Sequence, residues 1–99
     1  MNFSFHPDAE EEFLKAVDYY ENIESGLGYD FALEVYSAIK MSADYPEAWA
    51  LLIEDVRRTL VRRFPYGVLY SIEENEIYIL AVMNLHRDPD YWKDRKPQP

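Results

Sequence analysis

The spacing of apolar residues changes once along this chain, and that change limits its folds more than any other feature. Ala9, Phe13, Ala16, Val17 and Tyr20 recur at three- and four-residue intervals, which places them on one stripe of a helix. Phe31, Val35, Ala38, Ile39 and Ser42 form a second stripe, widened by Leu33 and Tyr36. From Val56 onward the period is that of a strand, with Tyr66, Val68, Tyr70 and Ile72 on one face. Two helices with one apolar stripe each cannot bury it alone. Both must pack on the sheet that follows them, which predicts a two-layer α+β fold.

The punctuation sets the element limits. Asn2 to Phe5 reads as a short strand with Phe3 and Phe5 on one face. Pro7 suits a helix start, and Asp8, Glu10, Glu11 and Glu12 put negative charge at the positive end of the helix dipole. This helix should end between Asn22 and Ser25. Gly26-Leu27-Gly28 reads as a stop and turn, and a second helix should end before Pro46. So short a connection makes the pair an antiparallel hairpin. Residues 46–55 are the least patterned stretch and read as a loop with a helical turn around Trp49 to Ile53. Val56 to Phe64, Tyr66 to Ile72 and Ile77 to Leu85 read as three strands, the last apolar on both faces and therefore central. Short turns between them, including the polar run Glu73 to Glu76, predict antiparallel pairing. Asp88-Pro89-Asp90 should open a short C-terminal helical turn containing Tyr91 and Trp92, with Lys96 to Pro99 frayed.

With 99 residues the chain fits a single domain, residues 1–99. An apolar fraction of 48% is enough for a core and too high for a disordered chain. The absence of cysteine removes disulfides and thiolate chemistry, which fits the cytoplasm. Met1 to Pro7 has neither a basic start nor an apolar run, so no signal peptide is expected. No apolar run approaches a membrane span.

The net charge of −9 argues against broad nucleic-acid affinity, which depends on Lys and Arg. Its distribution is uneven. Residues 1–56 hold two bases against thirteen acids, and residues 57–99 hold eight bases against six acids. The only basic cluster is Arg57, Arg58, Arg62, Arg63 and Arg87. Such a patch on an acidic protein can steer a specific anionic partner; the plainer reading is that these arginines pair with the abundant acids.

Few catalytic arrangements survive inspection. With two histidines and no cysteine, no metal constellation of recognisable spacing exists, and no cofactor is expected. Gly26 and Gly28 follow a helix, so they are not a phosphate loop, and no serine sits in a nucleophile elbow. The carboxylates at 10–12 are explained by the helix dipole and solvation. What remains is His86, suited to acid or base work near neutral pH, with Arg87, Arg62 or Arg63 to stabilise a phosphate and Tyr91 to stack on a base or donate a proton. The plainer reading makes His86 a strand-end residue and makes Tyr91 and Trp92 an anchor that closes the core against the sheet. We favour that reading for the aromatic pair.

Several runs carry a resemblance. Arg62-Arg63-Phe64-Pro65-Tyr66-Gly67-Val68-Leu69-Tyr70, then Ile79-Leu80-Ala81-Val82, then His86-Arg87-Asp88-Pro89 and Tyr91-Trp92 look like the signature of the RelE/ParE family of small bacterial toxins. Phe5-His6-Pro7, Ala9-Glu10, Ala16 to Glu21, Gly26-Leu27-Gly28 and Asp55-Val56-Arg57-Arg58 are similar to the same family. The resemblance covers nearly the whole chain. It implies an N-terminal strand and an antiparallel helical hairpin packed on an antiparallel sheet. It also implies the toxin of a type II toxin–antitoxin, or plasmid stabilization, module.

The family implies a cognate antitoxin that holds the toxin inactive; a homodimer and a toxin–antitoxin hetero-oligomer both stay open as assemblies. Two targets follow from the resemblance. RelE-like members cut messenger RNA in the ribosome, and ParE-like members poison DNA gyrase. RelE-like toxins commonly have an arginine after the strand tyrosine, whereas Tyr66 is followed here by Gly67. Arg58 and Arg62 only partly match their alternating basic residues, since Leu60 lies between. The ParE-like reading is therefore preferred. It makes the chain a non-enzymatic inhibitor with Arg58, Arg62, Arg63, Arg87 and Trp92 as the candidate target surface. Two alternatives stay open. One is a ribosome-dependent endoribonuclease using His86, Arg87, Arg62 and Tyr91; the other is a non-toxic family member that serves as a protein-binding module. Against an acidic toxin, the antitoxin interface should be mainly apolar.

Overall fold

The computed structural model describes residues 1–97. β1 (Asn2–Phe5) leads into α1 (Pro7–Ile23) and α2 (Leu27–Asp44), followed by β2 (Leu51–Ile53), β3 (Val56–Leu60), β4 (Tyr66–Glu73) and β5 (Glu76–Asn84). A 3-10 turn, η1 (Lys93–Arg95), lies near the end.

Local chemistry explains the helix limits. His6 caps α1, its imidazole Nδ1 accepting the Asp8 N–H at 3.0 Å, with Pro7 in the first turn. The turn between the helices depends on Gly26 at φ 90°, a left-handed position that favours glycine. The Glu21 carboxylate then accepts the N–H groups of Gly26 and Gly28, which satisfies donors at the start of α2. Gly28 lies inside α2 and not in the turn where the sequence reading put it. The helices cross so closely there that a Cβ on Gly28 would sit 2.5 Å from the Val17 carbonyl oxygen.

The strands form one sheet in the order β1-β5-β4-β3-β2. Pairing from β2 to β5 is antiparallel, as expected from the short turns. β1 adds a parallel edge to β5, so the sheet as a whole is mixed. β5 lies between β1 and β4, which accounts for its apolar residues on both faces. The turn from β4 to β5 places Glu74 and Asn75 both at positive φ, the backbone that a tight two-residue hairpin requires.

Further local expectations are corrected. Residues 46–55 do not contain a helical turn around Trp49 to Ile53; they bend and then form β2. The Arg57 guanidinium donates to the carbonyls of Glu47 and Trp49, and the Tyr70 hydroxyl donates to the Pro46 carbonyl at 2.8 Å. Those bonds satisfy loop carbonyls from distant strands, a tertiary effect that no local pattern encodes. β3 ends at Leu60, before the expected Phe64, because Arg63 takes a positive φ of 71° that breaks the ladder. The short helix follows Tyr91 and Trp92 instead of containing them. At the tail, Lys96 pairs with Asp55 and Glu73 and is held in place, whereas residues 98–99 lie outside the described range.

Two cores result, one on each face of the sheet. Under the helices, Phe13, Phe31, Val35 and Ile39 pack on Val68, Tyr70, Ile77 and Ile79. A buried Ser42–Thr59 hydroxyl pair at 2.7 Å ties α2 to β3 within this layer. On the opposite face, Val56, Leu69, Leu80, Ala81 and Met83 are covered by Trp92, which is 2% exposed. Leu80 and Ala81 both reach this second core because the register of β4 on β5 slips at Leu69/Tyr70, a β-bulge. Among the described residues, no helix is long and apolar enough to cross a membrane.

Candidate functional site

The bulge organises one corner of the molecule. It frees the Val82 N–H and the Leu80 carbonyl from the ladder. Glu12 Oε1 accepts the Val82 N–H at 3.2 Å, and Arg95 donates to the Leu80 carbonyl at 3.1 Å. Glu12 and Arg95 then pair with each other at 2.9 Å, with side chains only 14% and 13% exposed. Arg87 approaches Glu12 at 3.6 Å and lies 3.9 Å over the Tyr91 ring. Glu12 thus joins α1, β5 and the C-terminal segment.

This corner is one wall of a cleft of about 400 Å³ between α1 and the end of β5. Tyr19, Tyr66, Asn84, Arg87 and Tyr91 line it. Burial, reinforced by the Glu12 carboxylate, pushes the Tyr91 hydroxyl well above the ordinary tyrosine range. The hydroxyl therefore stays protonated, and it is buried without completing a hydrogen bond. Such a group is a poor proton donor to a leaving oxygen. Its geometry fits the anchoring role read from the sequence.

The second region is the outer edge of the sheet. Met41, Trp49, Leu51, Leu52 and Leu60 line a groove of about 430 Å³ together with Arg58 and Arg62. Leu51 and Leu60 are 54% and 56% exposed and line the same groove, so its wall is open to solvent and apolar. The Arg58 stem lies across Gly67, where a Cβ would come within 3.0 Å of the Arg58 Cδ. The position at which RelE-like toxins carry an arginine is therefore crossed by the Arg58 side chain.

Charge pairing separates the arginines. Lys15, Lys40, Arg63, Arg87, Lys93, Arg95 and Lys96 each meet an acid within 4 Å, and Arg57 holds backbone carbonyls. Among the described residues, the two remaining cations of the ten are Arg58 and Arg62. Both line the same apolar groove.

The sequence candidates are thus dispersed. Arg58 and Arg62 share the edge groove; Arg63 reaches Asp30 at 3.7 Å; Arg87 and Tyr91 belong to the Glu12 corner. His86 is exposed after β5, and its backbone N–H bonds the Asn84 side chain. Trp92 fills the second core and leaves almost nothing for a partner to touch. No group of three or more metal-ligating side chains occurs among the described residues.

Sequence reasoning missed Glu12, Arg95 and the apolar wall of the groove. Glu12 was detectable: it lies three residues after Ala9 and four before Ala16, on the buried stripe of α1. Its neighbours Glu10 and Glu11 do face solvent, as the dipole reading holds. The groove depends on β2, where the sequence carries no clear period.

Comparison with known proteins agrees with this architecture. The family model described as the ParE toxin of the type II toxin–antitoxin system parDE matches residues 3–89. A solved structure, described as the chromosomal ParDE TA system from P. aeruginosa, superposes with a TM-score of 0.75 at 16% identity. The match covers 86% of this chain and 96% of that one, and at this identity it speaks for the fold. No curated protein sequence matches. Strand, helical hairpin, sheet and the residues matched by the family model lead to one assignment: the chain belongs to the ParE toxin family of type II toxin–antitoxin systems.

Proposed function

We propose that this ParE-family chain is a toxin that acts by binding its target, DNA gyrase, and not by cutting RNA. The observation that carries this reading is the placement of the free cations. Arg58 and Arg62, unpaired among the described residues, border an apolar groove, while His86 and Arg87 lie elsewhere. Cleaving RNA requires a base, a phosphate stabiliser and an acid around one phosphodiester. A groove with apolar walls bordered by the half-buried Arg58 and the exposed Arg62 instead resembles the anchoring part of a protein interface, where arginine and aliphatic contacts are common. Arg58 and Arg62 are the proposed target contacts.

The cognate antitoxin covers a different surface. Tyr29, Leu33 and Tyr36 on α2, with Leu14 and Ile23 on α1, are large, apolar and exposed. They fit an amphipathic helix or extended segment that orders on binding. Lowering the charge contrast makes this contact mainly apolar. Its affinity should change little with salt, and a steep fall would contradict it.

The test is induced expression of the chain alone in a bacterium carrying a DNA-damage reporter. Loss of viable count with the reporter on, unchanged by His86→Ala and reversed by the antitoxin, is expected. Loss of viability with a silent reporter, abolished by His86→Ala, would replace this reading with an RNA-cutting one.

A further inference from the structure

We infer that β2 is a self-association edge, through which two copies of the chain pair their sheets around a two-fold axis. The inference rests on the edge itself and stands whether or not gyrase is the target.

β2 is the outer strand of the sheet, so one side of its backbone has no strand partner. Natural edges are usually guarded by Lys, Pro or an inward charge. Leu51, Leu52 and Ile53 provide none of these, and all three side chains are exposed. The shortness of the strand and the register irregularity between Leu51 and Ile53 both limit pairing, which makes the expected dimer weak and reversible.

Charge selects a second copy as the occupant. At one end of β2 stand Arg58 and Arg62, neither with an acid within reach. At the other end, in the turn to β3, stands Glu54, which has no ion pair or side-chain hydrogen bond among the described residues. A two-fold axis at Leu52 sets Leu51 against Ile53 of the other copy. It also brings the turn residue Glu54 of the other copy, just past the end of its β2, beside Ala50, just before the start of this one. Ala50 lines the groove that holds Arg58 and Arg62. Each Glu54 therefore enters the arginine end of the facing copy, and the apolar residues meet in between. Such an interface is isologous: one patch complements itself, and the pairing closes at two copies. Opposing it is repulsion between two chains of net charge −9. At physiological ionic strength, repulsion beyond about 8 Å is screened, and the contact charges decide. One consequence is that the dimer covers Arg58 and Arg62, so self-association and target binding compete.

The experiment is sedimentation equilibrium of the purified chain at physiological salt, up to millimolar concentration, with melting temperature as a folding control. The wild type should show a reversible monomer–dimer equilibrium. Glu54→Arg and Arg62→Glu should each weaken it by about tenfold or more, since each places two like-charge pairs across the axis. An equimolar mixture of the two variants should restore the dimer, because both cross-axis pairs are then opposite in sign. Leu52→Asp should abolish it in every combination. A wild type that stays monomeric overturns the inference, including the case in which the edge takes a strand of another protein instead. A dimer indifferent to all three substitutions also overturns it, because its interface then lies elsewhere.

Discussion

At the Glu12 corner an acid, two arginines and a tyrosine close on one another; at the β2 edge two arginines border a groove with no acid to meet them. The residue types are similar, yet their surroundings differ. The corner sits over a β-bulge whose freed backbone groups need partners, so Glu12 and Arg95 are held from several sides. The edge offers Arg58 and Arg62 apolar walls and open solvent. Charges in the corner hold the fold together, while charges at the edge remain available to a partner. Net charge alone would have hidden this, since the chain is acidic overall.

The comparison breaks first at the corner, if its parts prove dispensable. Trp92→Ala should cost about 3–5 kcal/mol, the range for emptying a large buried aromatic site. Chemical denaturation reads this directly; a loss below about 1 kcal/mol would mean that the C-terminal segment is not part of the core. Arg95→Ala should cost about 3 kcal/mol, because it leaves the poorly exposed Glu12 carboxylate without its closest cation. Arg95→Ala combined with Glu12→Gln should recover part of that loss, which a double-mutant cycle measures. Gly28→Ala tests the helical hairpin and should cost about 1–3 kcal/mol, since the contact it meets is backbone and cannot swing aside.

How much of this was legible in the sequence depends on the range of the forces involved. The stripes of α1 and α2, the alternation in β4 and the continuous apolar run of β5 are local, and they led to the right layers. The missing arginine at Gly67 was also readable, and so was the anchoring role of Trp92. The parallel place of β1 was not, because Asn2 to Phe5 carries no information about which distant strand it joins. The β2 strand was hidden for a similar reason: its loop is held by Arg57 and Tyr70 from other strands. The arginines could be listed but not sorted. Pairing of Arg63 with Asp30 and of Arg87 with Glu12 spans long stretches of chain, and only the fold separates them from Arg58 and Arg62.

Smaller effects sharpen the contrast. Lys96 holds the Asp55 carboxyl below its ordinary value, chiefly through their hydrogen bond. A depressed folded pKa means that the unfolded chain binds a proton more readily as pH falls. The stabilisation is therefore present above the ordinary aspartate pKa and is lost as pH drops through the lowered folded value. The pair is largely solvated, so less than about 1 kcal/mol is at stake, and Asp55→Asn should flatten the acid side of a stability–pH curve by that amount. Arg62→Glu should leave stability within about 0.5 kcal/mol of the wild type, as expected of an exposed residue with no partner to lose.

That silence in stability makes Arg62 the best probe of function. The most direct measurement is DNA supercoiling by purified gyrase in the presence of the purified chain, its Arg62→Glu variant and its His86→Ala variant. The account predicts inhibition by the wild type and by His86→Ala, and loss of inhibition in Arg62→Glu at an unchanged melting temperature. Inhibition unaffected by Arg62→Glu would contradict the role of the groove. Full supercoiling with the wild type, together with ribosomal messenger cleavage that His86→Ala abolishes, would contradict the central claim.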